Sequence, residues 1–187
     1  MEITNTNLKD CLIIQPDIFQ DERGYFFESY NKQRFQEATG MNISFVQDNE
    51  SQSQFGTVRG LHMQTGNASQ AKLIRVVKGK VKDVVIDVRP ESPSYKEKFE
   101  IELTEDNKTQ LFVPRGFLHG FSVLSNTAIF SYKCDNYYKK EAETSVNPLD
   151  EELDINWGIS WNQVIISEKD KNSQDFKKFL KTNKRLT

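Results

Sequence analysis

Short apolar runs broken by turn residues fill this chain from its start to about Tyr138. Residues 12–14, 25–29 and 43–49 form brief strand-like segments with polar or turn residues between them. Residues 72–77 read KLIRVV and lead into Lys78-Gly79-Lys80, after which residues 81–88, VKDVVIDV, alternate polar and apolar positions. Two such runs flanking a glycine predict a hairpin. Residues 99–103, 110–113, 120–124 and 128–133 continue the pattern. The thirteen Phe and six Tyr point the same way, because aromatic side chains favour pleated, half-buried surfaces. Many short strands with tight turns predict a mainly β chain, an antiparallel sandwich or barrel.

Helical signal is confined to two places. Residues 31–39, NKQRFQEAT, predict a short helix with Asn31 as cap and Gly40 as terminator. The tail beyond Ser167 places Phe176, Phe179 and Leu180 at helical spacing. Pro148 and the acidic stretch 150–154 mark a surface loop. The sequence has no internal repeat or low-complexity linker, so residues 1–187 are expected to form one domain.

The net charge of −2 leaves no basic face for nucleic acid, so an anionic ligand must be held by a few placed cations. Cys11 and Cys134 have no metal-ligand spacing and read as inert buried thiols. No signal peptide or membrane-length apolar run is present, which predicts a cytoplasmic protein.

Chemistry centres on two histidines. His62 lies in Arg59-Gly60-Leu61-His62-Met63-Gln64, and His119 in Pro114-Arg115-Gly116-Phe117-Leu118-His119-Gly120. Strand parity places Arg59, Leu61 and Met63 on one side and Gly60, His62 and Gln64 on the other, unless a bulge intervenes. Pro-x-Gly-x-x-His after an earlier Gly-x-His strand resembles the two motifs of the cupin superfamily. In metal-binding cupins the first motif carries His-x-His and then a glutamate. Here Gln64 stands at the second histidine's position, and Lys72 is the next charged residue. Two imidazoles without a carboxylate make a poor divalent site, and a lysine competes with a cation. No metal and no cofactor are therefore expected.

Eight segments in order then resemble the dTDP-4-dehydrorhamnose 3,5-epimerase family, the RmlC-like cupins. They are residues 21–26 (DERGYF), 45–49 (FVQDN), 59–62 (RGLH), 72–79 (KLIRVVKG), 83–89 (DVVIDVR), 113–121 (VPRGFLHGF), 132–134 (YKC) and 167–170 (SEKD). The resemblance implies a cupin-type antiparallel jelly-roll barrel with a few short peripheral helices. It also implies epimerisation at C3 and C5 of a dTDP-linked 4-keto-6-deoxyhexose.

That chemistry requires a base for the proton beside the ketone, a cation for the enolate, and an acid on the opposite face. By resemblance, His62 is the base, Asp170 the carboxylate that orients it, Lys72 the enolate-stabilising cation and Tyr132 the acid. A neighbouring lysine would lower the tyrosine's pKa and so favour proton donation. Arg23 and Arg59 match diphosphate or sugar contacts, and His119 lies beside the reacting sugar. Gln47 and Asn49 match nucleotide contacts; Phe26, Glu28 and Tyr138 match base or sugar contacts, some of them across a homodimer. Taken alone, Asp170 reads as a surface acid, Tyr132 as a packed aromatic and Arg23 as a turn-stabilising residue.

Three stretches depart from the family: Met63, residues 65–69 and residues 143–148. They leave open whether both centres are inverted. The alternatives are a single-centre epimerase or ketoisomerase on a related nucleotide sugar, a non-catalytic sugar-binding cupin, and a metal-dependent cupin oxygenase, which the missing ligands disfavour.

Overall fold

The computed structural model describes residues 1–183. Its strands are β1 (Glu2–Asn5), β2 (Leu12–Gln15), β3 (Phe19–Asp21), β4 (Gly24–Phe26), β5 (Gln47–Gln54), β6 (Thr57–Gln64) and β7 (Lys72–Lys78). They continue as β8 (Lys80–Asp87), β9 (Lys98–Thr104), β10 (Gln110–Val113), β11 (Phe117–Val123), β12 (Thr127–Cys134), β13 (Glu143–Ser145) and β14 (Ile165–Ile166). Three helices accompany them: α1 (Lys32–Thr39), α2 (Glu168–Lys171) and α3 (Phe176–Thr182). The fold is mainly β, as the sequence predicts.

Two sheets form the body. The first runs β1-β2-β10-β7-β12-β5, and the second β13-β6-β11-β8-β9 with β14 added in parallel to β6. Between them lies a core that includes Ile74, Val76, Val85, Leu103, Leu111, Phe117, Phe121 and Phe130. Both sheets are also covered on their outer faces. Phe35 of α1 packs over Leu12, Ile14, Leu73 and Phe112. Trp157, Phe176 and Phe179 pack over Leu61, Met63, Val84, Ile86 and Leu118. Strands covered on both faces lose alternation, so β10 and β11 are buried at every position.

α1 forms as predicted. Asn31 accepts a bond from the Arg34 N–H, and Gly40 closes the helix in the left-handed region with its N–H on Gln36. Phe176 and Phe179 are buried on α3, in line with the tail's spacing. Both cysteines are buried free thiols.

The hairpin expected around Gly79 does not form. β7 pairs with β10 and β12, and β8 with β9 and β11, so the turn carries the chain from one sheet to the other. Each run is apolar enough to sit between two neighbours, and pairing with each other would leave one of those places empty. Gly79 is needed at φ 79°, where a Cβ would meet the Thr127 carbonyl at 2.2 Å. Nor does β8 alternate as a half-exposed strand: apart from Lys80 and Lys82 every position is buried, Asp83 and Asp87 fully so. Residues 43–46 precede β5 rather than opening it, and Phe45 packs beside Phe35. The acidic loop also anchors, since Leu153 is buried within it. Among the described residues no helix is long and apolar enough to cross a membrane.

Candidate active site

A cleft of about 620 Å3 opens between the sheets. Its walls include Arg59, His62 and His119 from the second sheet, Lys72 and Tyr132 from the first, and Asp170 from α2. A second lobe of about 230 Å3 shares His62, Lys72 and Tyr132 and adds Gln47, Asn49, Gln64, Tyr138 and Glu143.

Strand parity fails in β6, and the failure builds the site. Arg59 and His62 both line the cleft, while Leu61 and Met63 turn to the outer core. The β6–β11 register shifts between the pairs His119–His62 and Phe121–Arg59. Such a bulge re-aims a side chain without ending the strand. It is possible because two glycines meet there: a Cβ on Gly60 would lie 2.5 Å from the Gly120 Cα. Arg59 is steadied by a bond from its Nε to Ser53 Oγ at 3.0 Å.

Asp170 is not a surface acid. β14 pairs in parallel with β6, which returns the chain to His62 from 108 residues away. Ser167 then caps α2 by accepting the Asp170 N–H at 3.1 Å. The Asp170 carboxylate meets His62 Nε2 at 2.6 Å, with its side chain 6% exposed. Burial opposes its charge, but the bonds from His62, Ser167 and the Gly60 backbone hold its carboxyl below the ordinary value. An ionised Asp170 accepts the Nε2 proton, which leaves the Nδ1 lone pair as the basic site of the ring.

The second histidine is paired as well. His119 Nε2 meets Asp83 Oδ2 at 2.9 Å, both buried, and burial holds the imidazole below its ordinary pKa against the pull of Asp83. The resemblance already pairs Asp170 with His62; the carboxylate that the sequence did not reveal is Asp83, beside His119. Among the described residues, no three His, Cys, Asp or Glu side chains group as metal ligands.

Tyr132 packs at the edge of the inner core while facing the cleft. Its pKa is not lowered as anticipated. Burial pushes it up, with Arg59 pulling back only in part, so the phenol keeps its proton through neutral pH. Burial likewise lowers the Lys72 ammonium, against the charges of Asp83 and Glu143.

Not every expected residue reaches the cleft. Arg23 and Phe26 sit on the isolated β3–β4 hairpin, exposed, with Arg23 bound to Asp21 at 2.6 Å. Within one chain Arg23 therefore does what its turn-stabilising reading says. Glu28 lies in another hollow beside Arg34. Residues that the sequence reading passed over are present instead. Glu143 accepts from Lys169 at 2.5 Å and from the Tyr138 hydroxyl at 3.1 Å at the edge of the second lobe. Lys169 lies within the SEKD segment that resembles the family, but nothing in that tetrapeptide foretells Glu143 as its partner.

A family model described as dTDP-4-dehydrorhamnose 3,5-epimerase matches residues 5–178. The chain belongs to the dTDP-4-dehydrorhamnose 3,5-epimerase family. A family member from Shigella flexneri is 43% identical over 94% of this chain and 96% of its own. The family's solved structure from Elizabethkingia anophelis is 52% identical with a TM-score of 0.91, covering 95% of this chain and 97% of that one. A third, from Legionella pneumophila Philadelphia 1 in complex with dTDP-4-keto-L-rhamnose, is 44% identical with a TM-score of 0.89, covering 93% and 92%. The dTDP-4-dehydrorhamnose 3,5-epimerase family thus accounts for nearly the whole length on which the two sheets and the cleft are built.

Proposed function

We propose that this protein inverts C3 and C5 of dTDP-4-dehydro-6-deoxy-D-glucose, giving dTDP-4-dehydro-L-rhamnose, by metal-free acid/base chemistry. The observation that carries the reading is the His62–Asp170 pair on one sheet's side of a cleft whose other side supplies Lys72 and Tyr132. The complex of the Legionella relative with dTDP-4-keto-L-rhamnose supports the substrate class.

In this mechanism His62 Nδ1 takes the proton from the carbon beside the ketone. The C–H electron pair becomes a carbon–carbon double bond, and the carbonyl pair moves to O4. Lys72 holds that enolate oxygen, and Asp170 stabilises the imidazolium formed. The Tyr132 hydroxyl returns a proton to carbon from the opposite face, and solvent restores both residues. His119, held neutral by burial with its proton toward Asp83, orients the sugar. Arg59 holds diphosphate or sugar oxygens, and Gln47, Asn49 and Tyr138 hold the nucleoside. The protein works as a homodimer in the cytoplasm, with Arg23, Phe26 and Glu28 serving the partner's cleft. In support, Phe19 and Phe26 are 62% and 69% exposed on a two-stranded hairpin, and both thiols are free.

The test follows proton NMR of the 4-keto-6-deoxyglucose nucleotide in heavy water. Wild type exchanges and inverts both centres. Tyr132→Phe exchanges with retention, because His62 returns the proton to the face it came from, while epimerised product falls sharply. Exchange at C3 alone gives the single-centre reading. Absence of exchange would leave a binding protein only.

A further inference from the structure

β12 ends at Cys134, and residues 137–139 that follow it belong to no strand or helix. Two glutamine side chains hold this stretch in place. Gln47 Oε1, from β5, accepts the Tyr138 N–H at 3.0 Å, and Gln47 is itself oriented by a 3.0 Å bond from its Nε2 to Asn49. Gln64, the last residue of β6, does more. Its Oε1 accepts the Lys139 N–H at 2.9 Å, and its Nε2 donates to the Lys139 carbonyl at 3.0 Å. One buried carboxamide therefore completes both halves of a ladder-like pair with one residue's backbone. The two clamps come from different sheets, so the backbone of Tyr138 and Lys139 is pinned between them.

The Tyr138 ring is not fixed by packing. It is 50% exposed, and its hydroxyl bond to Glu143 is the one polar contact found for the side chain among the described residues. Where the ring stands over the second lobe therefore depends on where the backbone is held. A ring placed before the ligand arrives binds more tightly, because its ordering cost has already been met in the free protein.

We propose that Gln64 is a positioning residue for nucleotide affinity: it holds the 138–139 backbone so that Tyr138 stands ready at the nucleoside end of the cleft. The proposal rests on the reading of Tyr138 as a nucleoside contact. It also assigns a use to the position where a metal-binding cupin would carry its second histidine. An ionised carboxylate at residue 64 can accept from Lys139 but not donate to it, and a thioether can do neither well.

The experiment compares Gln64→Met, Gln64→Glu, Tyr138→Ala and the double variant Gln64→Met/Tyr138→Ala. It measures KM and kcat for the keto-sugar nucleotide and calorimetric Kd for dTDP. Gln64→Met keeps the length and loses both bonds, so KM and Kd should rise about tenfold with kcat held within about twofold. Gln64→Glu keeps the acceptor alone and should fall between Gln64→Met and wild type. The double variant should bind no worse than Tyr138→Ala, because a positioning residue has nothing left to position. If Tyr138→Ala weakens dTDP binding while Gln64→Met does not, the positioning role is overturned and the Tyr138 reading stands. If Tyr138→Ala leaves dTDP binding unchanged, the Tyr138 reading fails and takes the proposal with it. A parallel fall in kcat for both Gln64 variants would show general damage to the cleft and overturn it too.

Discussion

Replacing Asp170 with asparagine removes one charge from the cleft and almost nothing of its shape. The N···O contact with His62 is 2.6 Å, which places the two charge centres roughly 4 Å apart once the imidazole has taken a proton. At an effective dielectric constant of about 20, that attraction is worth about 4 kcal/mol. The His62 side chain is 30% exposed, so solvent screens part of it, and about 2 kcal/mol is the lower bound. Asp170→Asn should therefore lower kcat by about 30-fold to about 10³-fold. KM should hardly move, because the imidazolium exists only after proton transfer. The assay is the initial rate of deuterium entry at C3 and C5, measured over a range of substrate concentrations. A kcat within about threefold of wild type, or a raised KM with kcat intact, would refute the reasoning. The same pair has a stability signature. Asp170 is held below its ordinary value, so its contribution is present above about pH 4 and is lost as pH falls through the folded-state pKa. Thermal melts of the Asn variant should lack that part of the acid loss.

Burial lowers the Lys72 ammonium, so activity that needs its charge should fall as pH rises through that lowered pKa; Lys72→Arg should carry the alkaline limb to higher pH even where kcat drops, and an unmoved limb would assign it to another group. Activity should survive EDTA and dialysis, with elemental analysis finding no stoichiometric metal; a transition metal that restores lost activity would contradict this. Sedimentation should give a homodimer at micromolar concentration. Mixing Arg23→Ala with His62→Ala chains should recover activity, because one cleft of the hybrid has an intact His62 and receives an intact hairpin; no recovery would place Arg23 outside the partner's cleft.

The sequence reading succeeded where one signal was local. Asn31 and Gly40 bound α1 because a cap and a left-handed terminator are properties of single residues. Most strands were legible from apolar runs, and His62, Lys72, His119 and Tyr132 do face one cleft. It failed where partners are distant. Nothing in the turn 78–80 says that the chain changes sheets there, since the pairing of β7 and β8 is decided by β9 to β12. The bulge in β6 depends on Gly60 meeting Gly120 across a strand pair, so parity counting inside residues 59–64 had to give the wrong face for Arg59. Asp83 read as one polar position of an alternating strand, and its pairing with His119 appears only when β8 and β11 are side by side. The hairpin residues Arg23 and Phe26 were legible only through resemblance, and within one chain they stand apart from the cleft.

The charge pattern of the cleft fits the chemistry better than it fits a metal. Asp170 and Asp83 each spend an oxygen on an imidazole, so neither carboxylate is left wholly free to hold a cation, and the ionised Asp170 paired with a neutral His62 becomes a neutral pair when the ring takes a proton. Among the described residues, the cations that remain facing the space are Lys72, Arg59 and, at the mouth, Lys169, whose charge Glu143 already balances. A 4-keto sugar entering this space brings no charge at the reacting carbons but develops one at O4 as the proton leaves. Lys72 is half-buried and weakened as a cation in the resting cleft, so in the proposed mechanism an anion forming beside it offsets the cost of its desolvation at the moment the barrier is crossed. That is an interaction stronger in the transition state than in the ground state, the kind that raises kcat rather than lowering KM. Arg59 lacks this property. It is exposed and bound to Ser53 before any substrate arrives, so its charge acts equally on the bound substrate and the enolate. The two cations should thus separate in kinetics, Lys72 through kcat and Arg59 through KM, although both line one wall-to-wall space.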